Sequence, residues 1–169
     1  MRKAIYFLIG LMAIFFNRSN AQSGTETVQV FIMRHAEKEP ADNPDPALSV
    51  AGKQRAERLA ALLKDVPVDE LYATEYKRTM QTLAPLAEAK QLKINNYNPG
   101  QLGDLASSLS AKKGKHIVIA GHANTSPELV NLLLQEHRYN ALAEDDFGKV
   151  WILTLSNGKA LSCLLINTN

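Results

Sequence analysis

The sequence predicts a three-layer α/β/α sandwich with a mostly parallel, mixed central sheet, and three features of its pattern lead to this fold class. Short apolar runs rich in β-branched residues alternate with segments of helical periodicity. Two of the runs, residues 28–33 and 117–120, are followed two residues later by a histidine. A final pair of apolar runs is joined by Asn157-Gly158, which is typical of a type I′ hairpin turn. Strands that alternate with helices and close with a hairpin predict one sheet covered on both faces.

The first helix is predicted directly after a loop, residues 39–46, that is rich in proline and Asx residues. Ser49 occupies the position of a helix N-cap. The apolar residues that follow recur at three- and four-residue spacing, which predicts a helix with one buried face. They are Ala56, Leu59, Ala60, Leu62 and Leu63.

A second helix is predicted over residues 74–89, after a weak strand at residues 69–73. Arg78 lies in its first turn, where the helix dipole alone would favour an acidic residue. An arginine at this place is better explained if it and the helix N-terminus face the same anion. Pro85 near the middle is expected to bend or shorten the helix.

In the second half of the chain, predicted strands and helices continue to alternate. A short strand at residues 92–97 and a strand at residues 117–120 are separated by a small amphipathic segment. Ser126, Pro127 and Glu128 then predict a helix start, with Ser126 as N-cap, a proline at the first position and an early acid. The closing hairpin follows.

The first 21 residues have the three-part pattern of a secretory signal, so we predict a signal peptide at residues 1–21 and a single domain at residues 22–169. After a basic start, the apolar run at residues 4–16 is shorter than the roughly 20 residues that a spanning helix needs. The small residues Ser19 and Ala21 occupy the −3 and −1 positions of a signal-peptidase site, which predicts cleavage after Ala21. The pattern predicts an exported protein, periplasmic or secreted, with no stable membrane anchor after cleavage; an uncleaved anchor is the alternative.

The charge balance of the mature chain is nearly neutral. Three of the 19 basic residues lie in the predicted signal, which leaves 16 basic against 17 acidic residues. Such a balance does not favour polyanions, and no nucleic acid partner is expected. Cys163, the only cysteine, cannot form an intramolecular disulfide and is predicted to be a buried apolar residue.

Two arginines and two histidines form the candidate catalytic site. They are Arg34, His35, Arg78 and His122. Guanidinium groups bind phosphate oxygens in a bidentate way. A histidine flanked by arginines should have a lowered pKa, and a neutral imidazole can attack phosphorus. The backbone N–H groups of Ala123 and Asn124 lie near a helix start, which also favours anions. The pattern therefore predicts a phosphate-binding site with a histidine nucleophile.

These motifs resemble those of the histidine phosphatase superfamily, also called the phosphoglycerate mutase-like family. The segments that carry the resemblance are residues 34–37, 45–52, 74–82 and 121–125. It implies a phosphoglycerate mutase-like fold and no metal. It also implies that His35 is the phosphorylated nucleophile and that Arg34, Arg78 and His122 form the phosphate pocket.

The chain departs from the family pattern at the general acid. Larger members carry a glutamate in the segment that corresponds to residues 94–98, where this chain has no carboxylate. The chain therefore resembles the short branch, which includes small exported phosphatases. The candidates for the acid are Glu37, Asp45 and the cluster Glu144, Asp145 and Asp146. A solvated loop is the alternative explanation for that cluster.

The resemblance implies a metal-independent phosphomonoester hydrolase that needs no cofactor. A protein of the same fold that binds phosphate or a phosphorylated ligand without turnover is the alternative, and the presence of both histidines favours the enzyme. A metal hydrolase built on His35, Glu37 and His122 is disfavoured because two arginines would repel a cation. The expected partner is a phosphorylated substrate, either a sugar phosphate, a lipopolysaccharide phosphate or a phosphoprotein.

Overall fold

The computed structural model describes residues 27–40 and 42–169. Its strands are β1 (Val28–Arg34), β2 (Glu70–Ala73), β3 (Ile94–Asn96), β4 (His116–Gly121), β5 (Lys149–Ser156) and β6 (Lys159–Asn167). Its helices are α1 (Val50–Leu62), α2 (Lys77–Lys90), α3 (Leu102–Ala111) and α4 (Thr125–Leu134). The predicted signal peptide lies outside the described residues.

The six strands form one mixed sheet in the order β3-β2-β4-β1-β5-β6. The neighbours from β3 to β1 are parallel, whereas β5 and β6 join antiparallel to close the sheet. In the pairing of β1 with β4, Arg34 lies opposite Gly121. The residues that follow these two therefore leave the sheet side by side.

Helices cover both faces of the sheet, which confirms the predicted three-layer α/β fold. Alternate residues of β1 enter different cores, as the period of a strand requires. Val30 and Ile32 pack with the leucines of α3 and α4, while Phe31 and Met33 pack with those of α1 and α2. A strand buried on both faces explains the continuous apolar run in the sequence.

The start of α1 agrees with the prediction, because the Ser49 hydroxyl oxygen accepts a hydrogen bond from the Gly52 N–H at 3.1 Å. A side chain at Gly52 would collide with the carbonyl oxygen of Glu37, so only glycine allows α1 to lie against the segment after β1. The second helix begins at Lys77, three residues later than predicted, and it continues past Pro85 without being shortened.

The predicted start of α4 was wrong. Asn124 is the N-cap, and Ser126 lies inside the first turn. The reason is tertiary: the Ser126 hydroxyl donates to the carbonyl oxygen of Met33 at 2.8 Å and fixes α4 to β1. The hydroxyl oxygen of Thr125 accepts from the His122 N–H at 2.9 Å. Pro127 still stands in the first turn, where its missing N–H costs no helical hydrogen bond.

The closing hairpin is confirmed, since Asn157 and Gly158 both have positive φ, at 50° and 75°. Cys163 is only half-buried, contrary to the prediction, because β6 is the last strand of the sheet. Within the described residues, none of the helices has the length and apolar character needed to span a membrane.

Candidate active site

All four predicted site residues meet at one edge of the sheet. His35 follows β1 and His122 follows β4, and their ring centroids lie 5.6 Å apart. The backbone N–H of His35 donates to the carbonyl oxygen of Gly121 at 2.9 Å, and this hydrogen bond joins the two strand ends. Together with Arg34 and Arg78, both rings line a cavity of about 500 Å³. Such carboxyl ends of parallel strands are the usual place for ligands in open α/β sheets.

His35 is held as a neutral imidazole with a defined tautomer. Its Nδ1 lies 2.7 Å from the carbonyl oxygen of Ala36, and a carbonyl can only accept, so Nδ1 carries the proton. The lone pair is therefore on Nε2. Desolvation lowers the pKa of His35 to about 3, helped by Arg34 and Arg78 and opposed by the bond to Ala36. The ring is uncharged at neutral pH.

Arg34 joins the site to a distant loop. Its Nη1 donates to the carbonyl oxygens of Ala143 and Asp146 at 2.7 and 3.1 Å. The guanidinium carbon lies 4.2 Å from the ring centroid of Phe147. The Nε–H is buried and has no hydrogen-bond partner among residues 27–40 and 42–169. Desolvation lowers the pKa of Arg34, and the nearby carboxylates oppose this.

Arg78, the second residue of α2, reaches the same cavity from the opposite side. Its guanidinium carbon lies 4.3 Å from the ring centroid of Tyr76, and its Nη2 lies 3.5 Å from Nδ1 of His122. The Thr82 hydroxyl donates to the carbonyl oxygen of Arg78 and accepts from the Ala36 N–H, at 2.7 and 2.9 Å. The helix start is thereby fixed to the segment that carries His35.

His122 is also neutral, but it is held differently from His35. Its Nε2 lies 3.0 Å from the hydroxyl oxygen of Thr74. Desolvation, followed by the charges of Arg78 and Arg34, lowers the pKa of His122 to about 4. The preceding Gly121 has no room for a side chain, because an added Cβ would lie 2.7 Å from Ser126 Oγ and 2.8 Å from the Tyr97 hydroxyl.

Two of the predicted acids are occupied elsewhere. Glu37 forms a bidentate pair with Arg55, at 2.8 to 3.0 Å, and does not line the cavity. Desolvation would raise the pKa of Glu37, but the hydrogen bonds from Arg55, a backbone hydrogen bond and the charges of Arg55 and Arg58 together hold that pKa below its usual range. Asp45 accepts from the Lys77 N–H at 2.8 Å and lies 3.9 Å from Arg78 Nη1, so it caps the start of α2.

The acidic loop, residues 144–146, places one of its three carboxylates at the cavity. Glu144 lines it with a side chain that is 93% exposed, 3.7 Å from Arg34 Nη2. Asp145 is exposed and does not line the cavity. Asp146 pairs with Lys149 at 2.7 Å. Ala123 and Asn124 line the cavity beside the start of α4, as the sequence predicted.

Sequence reasoning missed the hydroxyl groups behind His122. Thr74 follows directly after β2, which pairs with β4, so it too stands at a strand end of the same sheet edge. The strand-end argument that identified the histidines could have identified Thr74 as well. The described residues contain no group of three or more His, Cys, Asp or Glu side chains that could hold a metal ion.

Fold and site thus define an α/β protein with two arginines and two neutral histidines gathered at one sheet edge. Residues 30–98 match the family model of the histidine phosphatase superfamily (branch 1). Phosphoserine phosphatase 1 from Hydrogenobacter thermophilus is 39% identical over 75 residues, which are 40% of this chain and 35% of that protein. The match therefore spans about a third of the length of that relative.

The solved structures that resemble this chain share its fold. The protein histidine phosphatase SixA complexed with tungstate has a TM-score of 0.68 at 19% identity, over 83% of this chain and 97% of the other. A mycobacterial glucosyl-3-phosphoglycerate phosphatase has a TM-score of 0.64 at 13% identity, over 85% and 99%. The family match over residues 30–98 confirms the predicted resemblance to the histidine phosphatase superfamily.

Proposed function

We propose that the protein hydrolyses phosphomonoesters without a metal, through a phosphohistidine intermediate on His35. The observation that carries this proposal is the hydrogen bond from His35 Nδ1 to the Ala36 carbonyl oxygen at 2.7 Å. It leaves the Nε2 lone pair as the nucleophile, in a cavity that Arg34 and Arg78 also line. Burial keeps this ring unprotonated at neutral pH.

The reaction then has two steps. Arg34 and Arg78 hold the phosphoryl oxygens, and His35 Nε2 attacks phosphorus while the bond to the leaving oxygen breaks; that oxygen keeps the electron pair of the bond and takes a proton to leave as an alcohol. Water next attacks the phosphohistidine and gives up a proton, and the bond between phosphorus and Nε2 breaks to release phosphate and neutral His35. Positioning and charge stabilisation supply most of the rate in such transfers.

For the leaving group we propose a small polyol such as a sugar. A second cavity of about 660 Å³ adjoins the first and shares Tyr76 and Pro99 with it. Its wall offers two carboxylates, two amides and two aromatic rings, a mixture suited to hydroxyl groups. These side chains belong to Asp45, Glu75, Asn96, Asn98, Tyr76 and Tyr97. The relatives named above as a phosphoserine phosphatase and a glucosyl-3-phosphoglycerate phosphatase are compatible with a small substrate.

Hydrolysis of p-nitrophenyl phosphate in the presence of chelator tests the proposal. We expect chelator-resistant turnover by the purified protein, lost in His35→Ala and kept in His116→Ala. His116 is a matched control because it lies at the start of β4, at the opposite end of the sheet. Turnover that survives in His35→Ala would contradict the mechanism. Phosphate binding without any turnover, also with sugar phosphates, would favour the non-catalytic alternative.

We further propose that the protein is exported to the periplasm or secreted after cleavage following Ala21. The basic and apolar pattern of residues 1–21 supports this proposal. Mass spectrometry of the protein recovered outside the cytoplasm should give a chain that begins at Gln22. An intact Met1 in a membrane fraction would support the uncleaved anchor instead.

A further inference from the structure

The imidazole of His122 is held at both ring nitrogens, and the two contacts agree on the position of its proton. Nδ1 lies 3.5 Å from Nη2 of Arg78, and a guanidinium has only donors. Nδ1 therefore faces Arg78 with its lone pair. Nε2 lies 3.0 Å from the Thr74 hydroxyl oxygen. The neutral ring must carry its proton on Nε2 and donate it to Thr74.

The hydroxyl of Thr79 fixes the direction of the hydrogen bond between Thr74 and His122. Thr74 and Thr79 are both completely buried. The Thr79 hydroxyl donates to the carbonyl oxygens of Thr74 and Tyr76, at 3.0 and 2.8 Å, and this uses its single proton. Across the 2.8 Å contact between the two hydroxyl oxygens, Thr74 is therefore the donor. Having given its proton to Thr79, Thr74 can only accept from His122.

This tautomer has a consequence for anion binding. The Nδ1 edge of His122 lies on the Arg78 side of the cavity, where a phosphoryl group would bind between the arginines. Nδ1 and a phosphoryl oxygen are both acceptors, so a proton must enter between them for a hydrogen bond to form. A bound dianion favours the imidazolium form of the ring, because opposite charges at short distance raise the pKa of a histidine.

The charged and aromatic groups that face His122 come from two elements. Arg78 and the ring of Tyr76 face it from the start of α2, and Arg34 and His35 face it from the end of β1. The two arginines oppose protonation of the ring, and desolvation together with these charges lowers the pKa of His122 to about 4. A bound dianion would offset both positive charges, so protonation becomes linked to binding.

We propose that Thr74 and Thr79 are positioning residues that fix the tautomer of His122, so that the site takes up one proton when a dianionic phosphoryl group binds. The last step rests on the proposed function: His122 gives this proton to the leaving-group oxygen. That oxygen takes the electron pair of the breaking P–O bond and the Nδ1 proton together. His122 is then neutral and can accept a proton from the water that attacks the phosphohistidine. The site thereby gains the acid that residues 94–98 lack.

Tungstate tests proton uptake separately from turnover, because it is a tetrahedral oxyanion that stays a dianion at neutral pH. Titration calorimetry of the full-length protein, repeated in buffers of different ionisation enthalpy, gives the number of protons taken up. We expect about one proton in the wild type and an apparent Kd that weakens about tenfold per pH unit. In Thr79→Val, the Thr74 hydroxyl is free to donate to Nε2, so Nδ1 carries the proton and uptake falls to about zero.

Thr168→Val is the matched control. The Thr168 hydroxyl also donates to a backbone carbonyl oxygen, that of Gly148 at 3.0 Å, but it does not line the cavity, so proton uptake should stay at about one. Thr79→Ser keeps the hydroxyl and should restore the wild-type proton uptake. This result would separate the positioning role of the Thr79 hydroxyl from a folding defect. Undiminished uptake in Thr79→Val would overturn the role of the threonines, and no uptake in the wild type would overturn the inference.

The same titrations distinguish this inference from the proposed function. Proton uptake by a protein that hydrolyses no phosphate ester would support the inference about His122 and refute the proposed phosphatase activity. Hydrolysis by a protein that binds tungstate without proton uptake would support the proposed phosphatase activity and refute the inference about His122. A protein that binds no tungstate would contradict both.

Discussion

His35 and His122 leave neighbouring parallel strands at the same level of the sheet, yet opposite ring nitrogens hold them. His35 is held at Nδ1 by the carbonyl oxygen of the next residue, Ala36. His122 is held at Nε2 by the hydroxyl of Thr74, which comes from another strand end. A carbonyl can only accept, whereas a hydroxyl can accept or donate. His35 is therefore fixed by its own backbone, whereas His122 is fixed only because Thr79 makes the Thr74 hydroxyl an acceptor.

This difference suits different chemical roles. A nucleophile needs one lone pair that is always available, and a local bond to the backbone provides it. A group that takes up and returns a proton needs a partner that tolerates both states of the ring. Burial keeps both rings neutral, with pKa values of about 3 for His35 and about 4 for His122. The different roles proposed for the two histidines therefore rest on their anchoring partners, because burial lowers the pKa of both rings.

The largest effect is expected at the nucleophile. His35→Gln removes the Nε2 lone pair, so turnover should fall by about 10⁴-fold or more and no phosphoenzyme should form. Rapid quenching at high pH with a labelled substrate measures the phosphohistidine, and tungstate binding checks that the cavity is intact. A trapped phosphoenzyme in this variant would place the nucleophile elsewhere.

A smaller effect, dependent on the leaving group, is expected for His122→Gln. The loss should be slight for p-nitrophenol, which needs little protonation, and about 10²- to 10⁴-fold for alkyl phosphates. The measurement is kcat/KM across a series of esters that differ in leaving-group pKa. A uniform loss over the whole series would mean that His122 only binds the phosphoryl group.

Acid should destabilise the fold through the same two residues. Their folded-state pKa values lie below the ordinary value of 6.5, so the unfolded chain binds more protons as the pH falls. Stability is fully present above about pH 6.5 and declines toward pH 3 to 4, by at most about 1.4 kcal/mol per pH unit for each histidine. Urea unfolding of His35→Gln and His122→Gln should show a flatter decline than His116→Gln. An equal slope in all three would contradict the burial of neutral rings.

The smallest effect is expected at the acidic loop. Glu144 is exposed and lies 3.7 Å from Arg34, so Glu144→Gln should change kcat/KM by less than about threefold. The comparison uses the same ester series as for His122. A large loss confined to poor leaving groups would make Glu144 the acid and remove that role from His122.

Much of this site could be predicted from local patterns. The apolar runs located β1 and β4, and the residues after them identified His35 and His122. Ser49 correctly marked the start of α1, because an N-cap interacts only with the next turn. Asn157-Gly158 correctly marked the hairpin, since both residues tolerate positive φ. Each of these signals depends on neighbours within a few residues.

The rest depended on contacts between distant segments. Ser126 has the sequence pattern of an N-cap but bonds Met33 instead, so α4 begins earlier. Glu37 is close in sequence to the proposed nucleophile and was a candidate acid, yet its carboxylate is paired with Arg55 of α1. Neither partner could be assigned before the helices were placed on the sheet.

By itself, the sequence identified the arginines and histidines for which phosphoryl transfer is proposed, and it predicted that two strands bring the histidines to one edge. Only the tertiary structure decided which nitrogen of each ring is free. For His35 that choice follows from a bond to the adjacent residue, but its depressed pKa requires burial. For His122 it follows from Thr74, Thr79 and Arg78, which are far from it in the chain. Proton positions depend on the acceptors and donors packed around a ring, and that packing exists only in the folded protein.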